Sequence, residues 1–314
     1  MNIQMTQSAG FKFAGAGGRL LQGLCLAGGI LGAATLTARA QIVVDGTLDP
    51  AYGSPLAVQT VNTGFGDSTI GDGTSTGGSE LDAAYGTIAN GNLYLFLAGN
   101  FEDNGNHANI FISDGRPGQS TLALPATGSL QAMNGSKFSP GFQATYALDL
   151  NDYQGTAYVE EYSLSGSASG GYVGSFGLTG GIGSGIPGPN GINYGLNNLN
   201  AAGVNGNTGT AANPSAADAV TTGLEMSIPL ADLGNPAGPV NVLADINGGG
   251  DGYLSNQLLP GLPVSSGNLG APPFNFSGTP GEYFTVPASV PEPSTLALGS
   301  LSGLVLLAVR RQRK

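Results

Sequence analysis

Glycine and Asx-Gly dipeptides cut the chain every few residues between Gln41 and Pro287, and that interruption limits the fold more than any other feature. An amphipathic helix needs ten or more residues at a period near 3.6, and no such stretch survives there. What remains is a series of short apolar runs between turns. Ile42-Val43-Val44 ends at Asp45-Gly46, and Leu93 to Ala98 follows Asn90-Gly91. Ala108 to Ser113 ends at Asp114-Gly115. Phe142 to Leu150 alternates, which predicts Phe142, Ala144, Tyr146 and Leu148 on one face. Tyr158 to Leu164, Leu224 to Ile228, Val240 to Ile246 and Tyr283 to Val286 complete a set of at least eight strands. Short strands without interleaved helices predict an all-β chain, a two-sheet antiparallel β-sandwich of jelly-roll type with long Gly-rich loops. The glycines have no three-residue period, which excludes collagen. With only 9% of residues charged, coiled coils and helical bundles are excluded too.

Residues 163–222 differ from the rest, with 15 glycines and a single charge, Asp218. They are expected to lack a dense core apart from short hairpins near Tyr172 to Leu178, and read as a long Gly/Asn/Ser-rich insertion or loop set on one sandwich spanning 41–287, not as a second domain.

The charges are segregated. From 41 to 287 only Arg116 and Lys137 oppose 19 acids, so the body carries 2 − 19 = −17. A surface so acidic repels phosphate backbones and argues against a nucleic-acid partner, while it favours solubility and can attract divalent cations. The remaining basic residues crowd the ends. Lys12 and Arg19 precede an apolar stretch from Leu20 to Leu36, followed by Ala38-Arg39-Ala40. Small residues at Ala38 and Ala40 fit the pocket of signal peptidase, so residues 1–40 read as a signal helix cleaved before Gln41. Cys25 lies inside that stretch, preceded by Gly23-Leu24 rather than by a lipoprotein-type small residue. The mature chain is therefore expected to lack cysteine, and with it disulfides, thiolate metal sites and a Cys nucleophile.

At the other end, Val290-Pro291-Glu292-Pro293-Ser294 leads into an apolar run from Leu296 to Val309, closed by Arg310-Arg311-Gln312-Arg313-Lys314. The run reads as a transmembrane helix, with Arg310, Arg311, Arg313 and Lys314 as a cytoplasmic stop. The order of Pro-Glu-Pro, apolar helix and arginine cluster over 288–314 resembles the PEP-CTERM sorting signal of Gram-negative bacteria. That resemblance implies processing by an exosortase-type protease, transient anchoring in the inner membrane, and delivery to the cell surface or extracellular matrix. It also implies association with exopolysaccharide.

Three segments of the body carry a second resemblance. They are Ile42-Val43-Val44-Asp45-Gly46-Thr47-Leu48-Asp49, Gly91-Asn92-Leu93-Tyr94-Leu95 and Glu225-Met226-Ser227-Ile228-Pro229-Leu230-Ala231-Asp232-Leu233. In order and spacing they are similar to the opening, middle and late strands of carbohydrate-binding module family nine and DOMON-like sandwiches. The resemblance implies the sandwich, and sugar binding on aromatic platforms. The chain has no tryptophan, which leaves Tyr52, Tyr85, Tyr153 and Tyr253, in turn-rich contexts, as platform candidates or as core residues.

Catalytic vocabulary is sparse. His107 is the single histidine, sits in a polar stretch that reads as a loop, and has no G-x-S-x-G partner motif. The glycine runs at 71–73 and 180–183 lack the Lys-Ser/Thr of phosphate loops and read as turns. The sharpest metal candidate is calcium at Asp245, Asn247 and Asp251, three oxygen-bearing side chains on a glycine-rich turn; a smaller cluster is Glu102-Asp103-Asn104. The same residues also suit plain hairpin turns. The expected function is that of a non-enzymatic exported surface or matrix protein. A carbohydrate-binding module is the alternative, and a hydrolase using a carboxylate pair is a third class.

Overall fold

The computed structural model describes residues 41–65, 78–278 and 281–288. The expected signal helix with Ala38 and Ala40 lies outside the described residues. So do the sorting residues Val290, Pro291, Glu292, Pro293 and Ser294, the expected membrane helix, and Arg310, Arg311, Arg313 and Lys314. Among the described residues no helix is long and apolar enough to cross a membrane.

Among the described residues the body has thirteen strands: β1 (Ala57–Val58), β2 (Glu80–Ala89), β3 (Asn92–Asn100), β4 (Asn104–Ser113), β5 (Tyr146–Tyr153), β6 (Thr156–Ser163), β7 (Ser169–Gly177), β8 (Ile182–Gly185), β9 (Asn193–Asn197), β10 (Gly223–Pro229), β11 (Val240–Asn247), β12 (Leu254–Leu259) and β13 (Phe284–Val286). The pairings are antiparallel. One sheet runs β1-β2-β3-β10-β9-β8. The other runs β12-β11-β4-β5-β6-β7, with β13 sharing the outer edge of β11. The sequence-predicted hairpin turn at Asn90-Gly91 joins β2 to β3, both residues at positive φ (51° and 77°), as a two-residue turn matched to strand twist requires.

The central strands of both sheets are covered on both faces, which explains why some strands read as unbroken apolar runs rather than as alternation. Leu93, Leu95 and Leu97 of β3 point into the central core, where they join Ile110, Ile112, Leu148, Val242 and Ile246 of the facing sheet. Phe96 and Ala98, the alternate residues, are buried on the other side with Tyr52, Tyr85 and Val220. The outer face of the larger sheet carries a third cluster: Phe111, Ala147, Tyr162 and Leu243 lie under Leu122, Leu130, Met133, Phe138 and Phe142. The face expected for Phe142, Ala144, Tyr146 and Leu148 is therefore split. Phe142 and Ala144 join this outer cluster, whereas Tyr146 and Leu148 enter the central one. The phase changes at Thr145, whose backbone N–H (2.7 Å) and Oγ1 (3.1 Å) both reach the Ile112 carbonyl.

Residues 163–222, expected as an insertion with short hairpins near Tyr172 to Leu178, supply β7 there to the larger sheet and, beyond that expectation, β8 and β9 to the smaller one. Ile192, Tyr194 and Leu196 from this stretch are fully buried. Its glycines allow close backbone packing within strands. A Cβ at Gly170 (φ +138°) would meet the Glu161 carbonyl, and one at Gly174 (φ +153°) would lie 2.5 Å from the Pro187 carbonyl.

If residues 163–222 are integral to the core, Leu196→Ala should cost about 2–5 kcal/mol of unfolding free energy, as for other buried leucines. Urea denaturation checks this; a cost near zero would mark the segment as loosely attached.

Candidate functional site

On the outer face of the larger sheet, one row of side chains crosses four strands. Asp245 of β11 is paired with Asn109 of β4, Asn109 with Asp149 of β5, and Asp149 with Glu160 of β6. Directly opposed residues share a face and lie close, and like charges there repel. All four side chains are buried. The turn Gly249–Asp251 folds over the row and inserts Asp251, also fully buried, with its backbone at φ 54°.

Asn109 sits at the centre. Its Nδ2 donates to Asp251 Oδ1 at 2.8 Å and to Asp245 Oδ1 at 3.1 Å. His107, one alternation along β4, places Nδ1 2.8 Å from Asp149 Oδ1 and 3.5 Å from Asp251 Oδ2. The Gly250 N–H donates to His107 Nε2 at 3.2 Å, so both ring nitrogens have a partner. Glu160 is better provided for, since it accepts from the backbone N–H of Ser129 (2.7 Å) and Leu130 (3.3 Å) and from the Tyr162 hydroxyl (2.7 Å). Neither basic residue of the body is close at hand to help: Arg116 is bonded to Asp114 (Nε to Oδ2, 3.0 Å) and Lys137 is exposed.

The consequence is electrostatic. Burial drives the carboxyls of Asp149, Asp245 and Asp251 well above the usual range, and mutual repulsion adds to it through Glu160 on Asp149, Asp251 on Asp245, and Asp149 on Asp251. His107, Asp149 and Asp251 can each direct one ligand atom into a space less than 4.8 Å across.

Of the three residues expected to bind calcium, Asp245 and Asp251 meet in this cluster. Asn247 does not offer its oxygen: Oδ1 is used to close the turn, accepting from Gly248 N–H (3.0 Å) and Tyr253 N–H (2.9 Å). The expected loop histidine lies inside β4 and is buried, because the polar stretch before it is already strand, with a register shift between Asn104 and His107. Glu102-Asp103-Asn104 does not form a comparable cluster; Asp103 holds the Gly155 N–H at 3.1 Å.

The tyrosine candidates divide. Tyr52 and Tyr85 are core residues whose hydroxyls bond to Glu225 and Asp218. Tyr253 is exposed but stacked on Phe65, and Tyr153 is exposed. Sequence reading missed Tyr158 and Tyr172, exposed neighbours on β6 and β7 with ring centroids 6.4 Å apart. By register Tyr153, Tyr158 and Tyr172 share the outer face of the sheet.

The three body motifs noted in sequence are neighbours in space. Glu225 Oε2 accepts from the backbone N–H of Asp45 (3.0 Å) and Gly46 (3.1 Å), while Ile228 is paired with Leu93. Gly46 is at φ +80°, and a Cβ there would lie 2.5 Å from the Asn197 nitrogen, so the Asp-Gly turn needs glycine to lie this close to β9.

Comparison with protein families matches the PEP-CTERM protein-sorting motif to residues 289–314. Comparison with curated proteins and with solved structures finds no match. The motif marks an exported protein that an exosortase sorts and that is held transiently at the membrane.

Buried acids make the stability of the body depend on pH. Burial raises Glu225 from 4.5 to about 7 in the folded chain, against the opposing effect of its hydrogen bonds from Asp45, Tyr52 and Gly46; Glu282 is raised to about 7 by burial. In the window between the unfolded and folded pKa values the native state holds protons that the unfolded state has lost. Stability is therefore greatest below that window and falls as pH rises through it. In EDTA, urea midpoints should be higher at the acid end of this window than above it. Glu225→Gln, which keeps an acceptor for Asp45 and Gly46, should flatten part of that slope; an unchanged slope would contradict the assignment.

Proposed function

We propose that this chain is a non-enzymatic cell-surface or matrix protein whose acidic sandwich is delivered outside the cell and associates there with exopolysaccharide. The observation that carries the reading is the sorting motif at 289–314. The body is consistent with a structural part. Its one histidine is buried between Asp149 and the Gly250 N–H and is not free to act as a base on a substrate. Its net acidity favours a dispersed, hydrated state among polysaccharide chains.

Pro291 and Pro293 withhold backbone donors and favour an extended segment that a membrane protease can bind, and the terminal cations resist translocation. The parts of the signal should therefore fail differently. Glu292→Ala should leave the chain membrane-held and unprocessed, and deletion of 310–314 should release it unsorted. Cell fractionation with an antibody to the body reads both; wild-type placement of both variants would contradict the sorting role of these residues.

A second reading, a carbohydrate-binding module, is favoured by the exposed face of Tyr153, Tyr158 and Tyr172, since rigid amphipathic rings suit the apolar faces of sugars. On this reading glycan arrays probed with the full chain give signals that Tyr158→Ala and Tyr172→Ala each reduce. Flat arrays, or signals indifferent to both substitutions, count against it.

A further inference from the structure

We propose that Asp149, Asp245, Asp251 and Asn109 form a buried calcium site that joins strands β5, β4 and β11 to the turn at 249–251. The acids alone do not carry this. The independent observation is that buried carboxylate oxygens of the cluster have no hydrogen-bond partner. Asn109 Oδ1, Asp245 Oδ2 and Asp251 Oδ2 are fully buried and have no hydrogen-bond partner. A buried acceptor left unpaired costs about 1–3 kcal/mol, and more when charged, so Asp245 Oδ2 and Asp251 Oδ2 together point to a ligand that both carboxylates would share.

The chemistry of the donors selects the ion. Three carboxylates and one side-chain amide offer oxygen only, and calcium takes six to eight oxygens, with carboxylates free to bind through one or both atoms. The Asn109 amide is now turned with its nitrogen toward Asp245 and Asp251. A half-turn about its terminal torsion exchanges nitrogen for oxygen at the same place, converting a donor between two acids into a fourth ligand. Zinc fits poorly: it favours nitrogen and sulfur, and both nitrogens of His107 are already engaged, one by Asp149 and one by Gly250. Magnesium fits poorly as well, because it holds on to its waters, and these side chains are packed under Met133, whose sulfur lies 3.3 Å from Asn109 Nδ2.

His107 and Asn247 are positioning residues in this arrangement. His107 orients the Asp149 carboxylate through Nδ1 and is itself fixed by Gly250. Asn247 pins the ends of the turn that delivers Asp251. The ion would link positions that lie 136 and 142 residues from Asn109 in sequence, so its binding stabilises the folded state selectively.

The test uses the full-length chain, purified in detergent and stripped with EDTA, then dialysed against CaCl2 with MgCl2 and ZnCl2 in parallel. Metal retention is read by elemental analysis and stability by thermal unfolding. Wild type should retain one calcium per chain at this site and melt several degrees higher with calcium than with EDTA, while magnesium and zinc give less. Asp245→Asn and Asp149→Asn should weaken calcium binding by at least the about 10–100-fold that loss of an outer partner costs. The same substitutions remove buried charge, so in EDTA they should melt at or above wild type, which separates loss of a ligand from loss of the fold. Equal melting of wild type in calcium and EDTA with no retained ion would overturn the proposal. Preferential retention of zinc would overturn it, as would calcium retention by both variants at the wild-type level.

Discussion

Carboxylates that share a buried row with a single histidine beside them set the terms for the larger sheet. Strand pairing alone places Asp245, Asn109, Asp149 and Glu160 abreast, and the sheet cannot form in this register without bringing them together. Glu160 is accommodated by two backbone N–H groups and a tyrosine hydroxyl. The other acids are left with Asn109, His107 and one another. Removing a charge from water costs several kcal/mol even after relaxation, and an opposite charge with good geometry is what repays it. A divalent cation provides that charge, whereas protonation would only remove the problem acid by acid. The strained turn fits the same account: Asp251 holds a left-handed backbone, and Asn247 ties that turn shut, where a simple polar turn would need neither.

The smaller sheet shows a different solution to burying polar groups. Glu225 lies on β10, and the opening segment of the body crosses it so that two backbone N–H groups and the Tyr52 hydroxyl face its carboxylate. Asp82 is met in the same way by the Val204 N–H (2.8 Å) and Asn200 (3.2 Å), and, on β5 of the larger sheet, Asp152 by Asn198 (2.8 Å). In each case a segment distant in sequence is held in place by a buried acid. That arrangement suits a chain with two basic residues in its body, which cannot rely on ion pairs to fasten loops to sheets.

Local signals made much of this legible in sequence. Asn90-Gly91 placed a hairpin because both residues tolerate positive φ, and the apolar run after it placed a central strand. In the glycine-rich stretch 163–222 the strand around Tyr172 was legible but β8 and β9 were not, because glycine marks loops by composition, while here Gly183 and Gly195 serve strands that run against other backbone. Asp245 and Asp251 were visible as a turn-associated pair. Asn109 and Asp149 were not, because a site assembled by sheet pairing leaves no local spacing to read. The available signal was subtler: Asn109 interrupts Ala108-Asn109-Ile110-Phe111, and Asp149 interrupts Ala147-Leu148-Asp149-Leu150, each a polar residue inside a strand whose neighbours are all buried. In a sheet covered on both faces, such a residue has no solvent side to point toward and must have a partner.

The central claim is that the acidic row closes on an ion. The most direct measurement is anomalous diffraction from crystals of the protein grown in CaCl2, collected where calcium scatters anomalously. The account predicts a peak bounded by Asp149, Asp245, Asp251 and the oxygen of Asn109, with metal–oxygen distances of about 2.3–2.6 Å. No peak there, with the carboxyl oxygens of Asp149, Asp245 and Asp251 instead paired at hydrogen-bonding distance through shared protons, would contradict it.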